Sequence, residues 1–98
     1  MRFDIILAPE AARALRSLPA YDRAMLRDGL ETHLRHEPGK TSKSRIKRLR
    51  GLRRPQYRLR VNDFRVFYDI VRQEVQVLAI ISKAEAQAWL EEFGTSDA

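Results

Sequence analysis

The sequence predicts an α+β domain in which helices cover a small, mainly antiparallel sheet, and three observations lead to this class. Residues 57–81 alternate between apolar and polar side chains on either side of Asn62-Asp63, which is typical of a β-hairpin followed by another strand. Two earlier stretches, 9–18 and 21–36, carry apolar residues at helical spacing. With 98 residues and no cysteine, the chain is expected to form one domain over residues 1–94, without disulfides.

The N-terminal third reads as a strand followed by a helical hairpin. Arg2 to Leu7 is a short apolar run, and Pro9 after it suits the first turn of a helix that ends before Pro19. A second helix is predicted from Tyr21 to His36, although Gly29 weakens it locally by up to about 1 kcal/mol. Its expected apolar stripe consists of Tyr21, Met25, Leu26, Leu30 and Leu34.

The remaining elements follow a basic connection. Lys40–Ser44 is expected to be a loop, with a weakly supported extended piece around Lys47–Arg50. The hairpin strands are predicted at 57–61 and 64–71, and the apolar run 75–81 predicts a central last strand. Ser82 and Glu85 form a capping-box pattern that begins a helix reaching about Phe93, and residues 95–98 are expected to be a disordered tail.

Placing the turn at Asn62-Asp63 determines which hairpin residues face each other. Arg60 then lies opposite Arg65, and Arg58 lies opposite Phe67. One face is apolar and predicts the core side of the sheet, with Tyr57, Leu59, Val61, Phe64, Val66, Tyr68 and Ile70. The other face carries Arg58, Arg60, Arg65, Phe67 and Asp69.

Three arginines on one sheet face point to an anion site. Like charges directly opposite one another destabilise a sheet by several tenths of a kcal/mol per pair, so folding alone rarely favours them. Guanidinium groups bind phosphate oxygens well, which makes phosphate the expected anion. The alternative is a solvated face, or one that is neutralised by an acidic neighbour such as Asp69.

The charge of the chain is concentrated in one segment. The net charge is +6, yet residues 40–60 contain ten basic residues and no acidic one, and the rest of the chain has nine basic against thirteen acidic residues. Such a segment favours a polyanion or an acidic protein as partner. No apolar run approaches the ~20 residues of a membrane span, and the N-terminus does not resemble a signal peptide, so a cytoplasmic location without membrane contact is expected.

Other chemistry-bearing residues carry weaker signals. His33 and His36 lie three apart near the end of a helix and lack a third ligand at recognisable spacing, so surface roles are expected and no metal site is predicted. Tyr57 and Tyr68 fall on the core face and are expected to pack there. Trp89 is expected to anchor the C-terminal helix, with stacking on a nucleobase as the alternative.

The strands YRLRV and FRVFYDI, preceded by KRLRGLRRPQ, resemble those of the RelE/ParE superfamily of bacterial and archaeal toxins. The resemblance extends from Arg2 to about Phe93 and implies the RelE/ParE-like fold: an N-terminal strand and helical hairpin packed on a mainly antiparallel sheet, with a short C-terminal helix. Members of the superfamily are toxins of type II toxin–antitoxin pairs. RelE-like members cut mRNA in the ribosomal A site without a metal or other cofactor, whereas ParE-like members inhibit DNA gyrase.

The resemblance also implies site residues. Arg58, Arg60 and Arg65 match the basic positions of RelE-like strands, whereas the region ISKAEAQAWL lacks the arginine and tyrosine found near the C-terminus of RelE-like nucleases, leaving Lys83 and Trp89 as the nearest substitutes. The resemblance therefore implies an mRNA endoribonuclease with catalytic residues Arg58, Arg60, Arg65 and Lys83, acting on the ribosome and neutralised by a cognate antitoxin. Ribosomal RNA contacts are expected from Lys43, Arg45, Lys47, Arg48, Arg50, Arg53 and Arg54. The alternatives are a ParE-like gyrase inhibitor and a catalytically degenerate member that only binds its antitoxin.

Overall fold

A computed structural model describes residues 1–96 and begins with one strand and two helices. Strand β1 is Asp4–Leu7, helix α1 is Pro9–Ser17 and helix α2 is Ala20–Leu34. Pro9 occupies the first turn of α1, where the missing N–H costs no helical hydrogen bond, and Glu10 beside it lies at the positive end of the helix dipole. Both helices therefore form close to the stretches for which the apolar spacing of the sequence predicts them.

Six further strands and a short helix complete the chain. The strands are β2 (Ile46–Arg48), β3 (Leu52–Arg54), β4 (Tyr57–Val61), β5 (Phe64–Val71), β6 (Glu74–Ser82) and β7 (Thr95–Ser96). A 3₁₀ turn at Lys83–Glu85 leads from β6 into helix α3, Ala86–Phe93. None of the helices in residues 1–96 is long and apolar enough to cross a membrane.

The main sheet has five strands in the order β1-β6-β5-β4-β2, and β3 pairs with β7 in a separate two-stranded ribbon. Strand β1 runs parallel to β6, and the other pairs in the main sheet are antiparallel. The β4–β5 register sets Arg60 against Arg65 and Arg58 against Phe67, with Asn62 at a positive φ of 49° in the turn. The predicted α+β class and the hairpin register are both confirmed.

The core lies between the two long helices and one face of the sheet. Leu59, Val61, Val66 and Tyr68 of the hairpin are buried there against the apolar sides of α1 and α2. The Tyr68 hydroxyl donates a hydrogen bond to the Pro38 carbonyl at 2.6 Å. The opposite face of the sheet is consequently left to Arg58, Arg60 and Arg65.

Three details differ from the sequence prediction. Tyr21 is 78% exposed and does not belong to the apolar stripe, because the buried residues of α2 begin at Leu26. The Ser82 hydroxyl donates to the Glu85 carboxylate at 3.0 Å, so these two side chains bind each other instead of capping backbone amides.

The third difference concerns the C-terminus. Thr95 and Ser96, which were assigned to a disordered tail, pair with β3, a strand that the sequence did not predict. Residues 97–98 of that tail lie outside the described residues. The pairing ties the end of α3 to the basic segment, more than 40 residues earlier in the chain.

Candidate nucleic-acid interface

The candidate interface is built on the sheet face that points away from helices α1 and α2. Arg58 and Arg60 lie on β4, and Arg65 lies on β5 directly opposite Arg60. Lys47 of β2 pairs with Arg58, which places a fourth cation on the same face. Period-two alternation in three adjacent strands therefore brings these cations together, although 18 residues separate the first from the last.

Arg58 is the most enclosed of the three arginines. Its Nε is fully buried and has no hydrogen-bond partner within residues 1–96. Burial, followed by the neighbouring charges of Arg65 and Arg60, lowers the pKa of the Arg58 guanidinium from its usual value. A buried donor without a partner destabilises the folded protein, so the Arg58 side chain is suited to an anion that accepts its unmade hydrogen bond.

Arg65 is held in place by the hairpin turn. One of its terminal nitrogens donates to the carbonyls of Asn62 at 2.9 Å and Phe64 at 3.0 Å. Arg60 is exposed, and its side chain has no hydrogen bond or ion pair with the described residues. The group thus combines an enclosed guanidinium, an oriented one and an exposed one without a partner in residues 1–96, which suits a charged ligand that arrives from solvent.

Asp69 does not neutralise the arginine face. Its side chain is buried, accepting a hydrogen bond from Arg54 Nε at 2.7 Å and another from the Gln56 backbone N–H at 2.7 Å. The alternative in which Asp69 pairs with the three arginines is therefore wrong. The sequence analysis did not predict the Arg54–Asp69 pair. The signal that could have indicated it is the single acidic residue, Asp69, on a strand face that otherwise carries cations.

Aromatic rings form one wall of the interface. The buried Phe67 ring, opposite Arg58, stacks on Trp89 of α3 with a centroid distance of 5.0 Å and an interplanar angle of 6°. Phe93 packs at the outer side of Trp89 at 5.5 Å and is 56% exposed. Trp89 therefore anchors α3 to the sheet, as expected from the sequence, and borders the arginine face.

Lys83 lies at the hairpin end of the same sheet. Its backbone N–H donates to the Asp63 carbonyl at 2.7 Å, two residues beyond the point where Ile81 pairs with Arg65. This bond attaches the start of the 3₁₀ turn to the β4–β5 turn. The Lys83 side chain is exposed, so its ammonium reaches solvent at this end of the sheet.

The basic segment divides into engaged and free cations. Arg48 donates to the carbonyls of Leu49 and Gln56 and lies over the Tyr57 ring, 5.2 Å from its centroid, so it supports the fold. Arg54 is paired with Asp69, and Arg45 donates to the Arg60 carbonyl. Besides Arg60, the exposed cations of residues 40–60 whose side chains have no partner in the part of the chain that the structure describes are Lys43, Lys47, Arg50 and Arg53.

A groove of about 420 Å³ lies between the end of α1, the end of β6 and helix α3. Leu18, Ile81 and Trp89 are among its apolar lining residues, and Glu85 and Glu92 lie at its rim. Strand β1 pairs with β6 only as far as Val77, so the outer backbone edge of 78–82 faces this groove without a partner strand in residues 1–96. No group of three or more His, Cys, Asp or Glu residues within residues 1–96 is arranged to hold a metal ion.

Comparison with known proteins places the chain in a family. Residues 5–87 match the family model of the ParE toxin of the type II toxin–antitoxin system parDE. No curated protein matches the sequence significantly. Because the family model spans most of the chain, it shows the family on its own.

Solved structures agree with this placement. The archaeal RelE–RelB complex from Pyrococcus horikoshii OT3 matches with a TM-score of 0.63 and 26% identity over 85% of this chain and 97% of that one. The RelBE2 toxin–antitoxin complex of Mycobacterium tuberculosis matches with a TM-score of 0.63 at 21% identity, covering 84% of this chain and 99% of that one. The YoeB dimer from Staphylococcus aureus matches in fold with a TM-score of 0.57 at 14% identity, covering 83% and 97%. The chain therefore belongs to the ParE toxin family, within the RelE/ParE superfamily of type II toxin–antitoxin toxins.

Proposed function

We propose that this toxin acts on RNA, as a ribosome-dependent endoribonuclease that cuts mRNA and stops translation. The observation that carries the proposal is the convergence of Arg58, Arg60 and Arg65 on one sheet face, where no carboxylate of residues 1–96 forms an ion pair with them. The similarity to an archaeal RelE at 26% identity supports the same activity. Inhibition through protein contact alone would not explain why the buried Nε of Arg58 lacks a hydrogen-bond partner in residues 1–96.

The proposed role of the three arginines is to stabilise the charge that develops on the scissile phosphate. In metal-independent RNA cleavage the ribose 2′-hydroxyl loses its proton to water and its oxygen attacks the adjacent phosphorus. The P–O5′ bond breaks as the 5′-oxygen takes up a proton, which leaves a 2′,3′-cyclic phosphate. Negative charge accumulates on the non-bridging oxygens of the pentacoordinate intermediate. Arg58 and Arg65 present guanidinium N–H groups that can bind these oxygens, and Arg60 adds a third cation from the facing strand.

Proton transfer requires a different group, because an arginine rarely loses its proton. Asp69 is unavailable because Arg54 and Gln56 occupy its carboxylate oxygens. Lys83 is held at the hairpin end of the site by the hydrogen bond from its backbone N–H to the Asp63 carbonyl, and we assign its ammonium the donation of a proton to the leaving 5′-oxygen. Orientation of the mRNA by the ribosome supplies much of the remaining rate enhancement in this scheme.

The basic segment supplies the contact with ribosomal RNA in this proposal. The free cations Lys43, Lys47, Arg50 and Arg53 are suited to sequence-independent phosphate contacts. Arg45, Arg48 and Arg54 retain N–H groups for such contacts but are also held by the fold. Affinity for ribosomes is then expected to fall steeply with salt.

The cognate antitoxin is proposed to neutralise the toxin by covering the arginine face with acidic side chains. The groove beside α3 and the unpaired edge of β6 offer adjacent apolar and backbone contacts for the same partner. The structural relatives from Pyrococcus and Mycobacterium are themselves toxin–antitoxin complexes.

The test is primer extension on programmed ribosomes with wild type, Arg65→Ala and the double variant Arg58→Ala/Arg60→Ala. Cuts within A-site codons are expected for wild type and should fall by about 10²-fold or more in the variants. Arg27→Ala is the matched control, because Arg27 is an exposed arginine on α2, the helix that packs against the other face of the sheet at Val61. Intact mRNA with a wild-type protein that still stops growth would reject the endoribonuclease proposal.

Inhibition of DNA gyrase is the second candidate function, and membership of the ParE family favours it. Engagement of Asp69, the carboxylate of the arginine face within residues 1–96, by Arg54 and Gln56 leaves it unavailable as a general base and points the same way. A supercoiling assay with purified gyrase separates the two, because only a gyrase inhibitor slows supercoiling while translation continues. Absence of any growth effect on induction would instead indicate a degenerate member that only binds its antitoxin.

A further inference from the structure

A small polar pocket, separate from the groove beside α3, opens at the hairpin end of the sheet on the β2 side. It has a volume of about 150 Å³ and is lined by Ser44, Arg45, Arg60 and Asn62. Every lining residue carries a hydrogen-bond donor in its side chain, and none is acidic. The Asn62 amide nitrogen already donates to Met25 Sδ at 2.6 Å and keeps one further N–H, so the pocket combines side-chain donors with two positive charges.

The backbone brings the two arginines of this pocket together. The Arg60 N–H donates to the Arg45 carbonyl at 2.9 Å, which extends the β2–β4 ladder by one residue. Arg45 is further positioned by Ser42, whose hydroxyl accepts its backbone N–H at 3.0 Å. One terminal nitrogen of Arg45 donates to the Arg60 carbonyl at 3.3 Å, so its guanidinium is directed toward β4 and retains its other N–H groups.

The charges of Arg45 and Arg60 are unbalanced. Neither forms an ion pair in the described chain, where the pairs involve Arg13, Arg35, Lys40 and Arg54. The positive potential of Arg45 extends as far as His33, whose pKa is lowered by burial and secondarily by this arginine. Two facing cations without a counter-charge repel each other, and a bound anion would remove that repulsion.

The donor set indicates which anion fits. Guanidinium groups bind oxyanions through paired N–H groups, and the Ser44 hydroxyl, which has no partner among residues 1–96, adds a donor from another direction. Donors arriving from several directions suit the tetrahedral oxygens of phosphate better than a planar carboxylate. Arg60 and Arg58 lie two residues apart on β4, about 6.6 Å along the strand, so this pocket is adjacent to the arginine site.

We propose that Ser44, Arg45, Arg60 and Asn62 form a second phosphate subsite, which holds the backbone phosphate next to the one bound at Arg58 and Arg65. Its identity as an RNA phosphate rests on the proposed function, whereas its capacity to bind phosphate does not. Arg60 lies between the two subsites and contributes to both. The toxin would thus grip its substrate at two consecutive phosphates, which orients the RNA strand across the sheet.

The first experiment titrates inorganic phosphate into the isotope-labelled protein and records the NMR signals of the arginine Nε–Hε groups. Saturable shifts are expected at Arg45 and Arg60, with much smaller ones at Arg27, an arginine outside both subsites. The variant Ser44→Ala/Arg45→Gln should reduce the saturable shift at Arg60, which keeps only its contact with the subsite at Arg58 and Arg65, and should leave the shifts at Arg58 and Arg65 unchanged. Both altered residues are exposed, so the variant is expected to fold, and its thermal melt verifies this. Equal, non-saturating shifts at all arginines would overturn the subsite.

The second experiment measures binding of a short single-stranded RNA as a function of salt. Loss of one phosphate contact lowers the slope of log K against log[salt] by about 0.7 in magnitude for single strands, which is the change expected for Arg45→Gln relative to Arg27→Gln. An unchanged slope would also overturn the proposal. If phosphate causes saturable shifts but mRNA is not cleaved on ribosomes, the endoribonuclease proposal is rejected and the phosphate subsite stands. If mRNA is cleaved but the shifts are absent, the subsite is rejected and the endoribonuclease proposal stands.

Discussion

Arg60 and Arg65 lie directly opposite each other on β4 and β5, two like charges in a position where a sheet normally places a favourable pair. No carboxylate in the described part of the chain pairs with them, because Asp69 on the same face is bound to Arg54. Residues that serve binding often lower the stability of the folded protein in this way. Several consequences of the arrangement are measurable.

Arg60→Glu is expected to stabilise the fold and weaken RNA binding. Replacing the repulsive pair by an attractive one should raise the free energy of unfolding by about 0.5 kcal/mol. Urea unfolding at low salt measures this gain in unfolding free energy. The gain should shrink at 1 M salt, where the Debye length is only about 3 Å and the charges are screened from each other. Arg60→Lys, which keeps the charge, should show no gain, and an equal gain in that variant would contradict the electrostatic explanation.

The ion pair between the exposed Arg54 and the buried Asp69 is expected to contribute to stability. Asp69→Asn should lower the free energy of unfolding by about 2 kcal/mol, because a nearly buried carboxylate loses its charged hydrogen bond. A double-mutant cycle with Arg54→Gln should give a coupling energy of about 1 kcal/mol or more. Arg53→Gln is the matched control, since Arg53 is exposed and has no partner within the described residues. Additive effects of the two changes would exclude a stabilising pair.

Gly29 provides close contact between α2 and the sheet. A Cβ atom at this position would lie 2.9 Å from Cγ2 of Val61, so Gly29→Ala should destabilise the protein by about 1 kcal/mol despite the better helix propensity of alanine. In a Val61→Ala background the same change should become neutral or stabilising, because the clash is removed. Chemical denaturation of the four proteins in this cycle checks the change of sign. A Gly29→Ala effect that is the same in both backgrounds would reject the steric explanation.

Tyr68 is expected to make stability depend on alkaline pH. Burial, followed by the nearby Tyr57, raises the pKa of the Tyr68 phenol well above its ordinary value. The unfolded chain therefore releases this proton near pH 10 while the folded chain retains it, so stability is complete below pH 10 and declines as pH rises.

The comparison of wild type with Tyr68→Phe isolates this effect. At pH 7 the variant should be less stable by about 1 kcal/mol, because it lacks the hydrogen bond to the Pro38 carbonyl. Above pH 10 that difference should shrink by up to about 1.4 kcal/mol per pH unit. Unfolding curves that stay parallel between pH 8 and 11.5 would show that Tyr68 does not titrate differently in the two states.

Sequence patterns predicted the parts of the candidate site that depend on local geometry. The hairpin register followed from one turn dipeptide and strict alternation, and it brought Arg58, Arg60 and Arg65 to one face. The same reasoning did not predict that Arg48 and Arg54 are held by the fold, because their partners Gln56 and Asp69 lie in another strand or loop. Side-chain pairing across 8 to 15 residues leaves no periodic signal.

By itself, the sequence determined the order of the main elements, the core face of the hairpin and the arginine face opposite, because strand alternation and helix periodicity are properties of neighbouring residues. Only the tertiary structure decided which cations remain free and that β3 pairs with the C-terminal β7. It also decided that Trp89 stacks on Phe67 beside the arginines and that Ser44 and Arg45 meet Arg60 in a separate pocket. These contacts join residues far apart in the chain, and their formation depends on how the whole sheet is assembled.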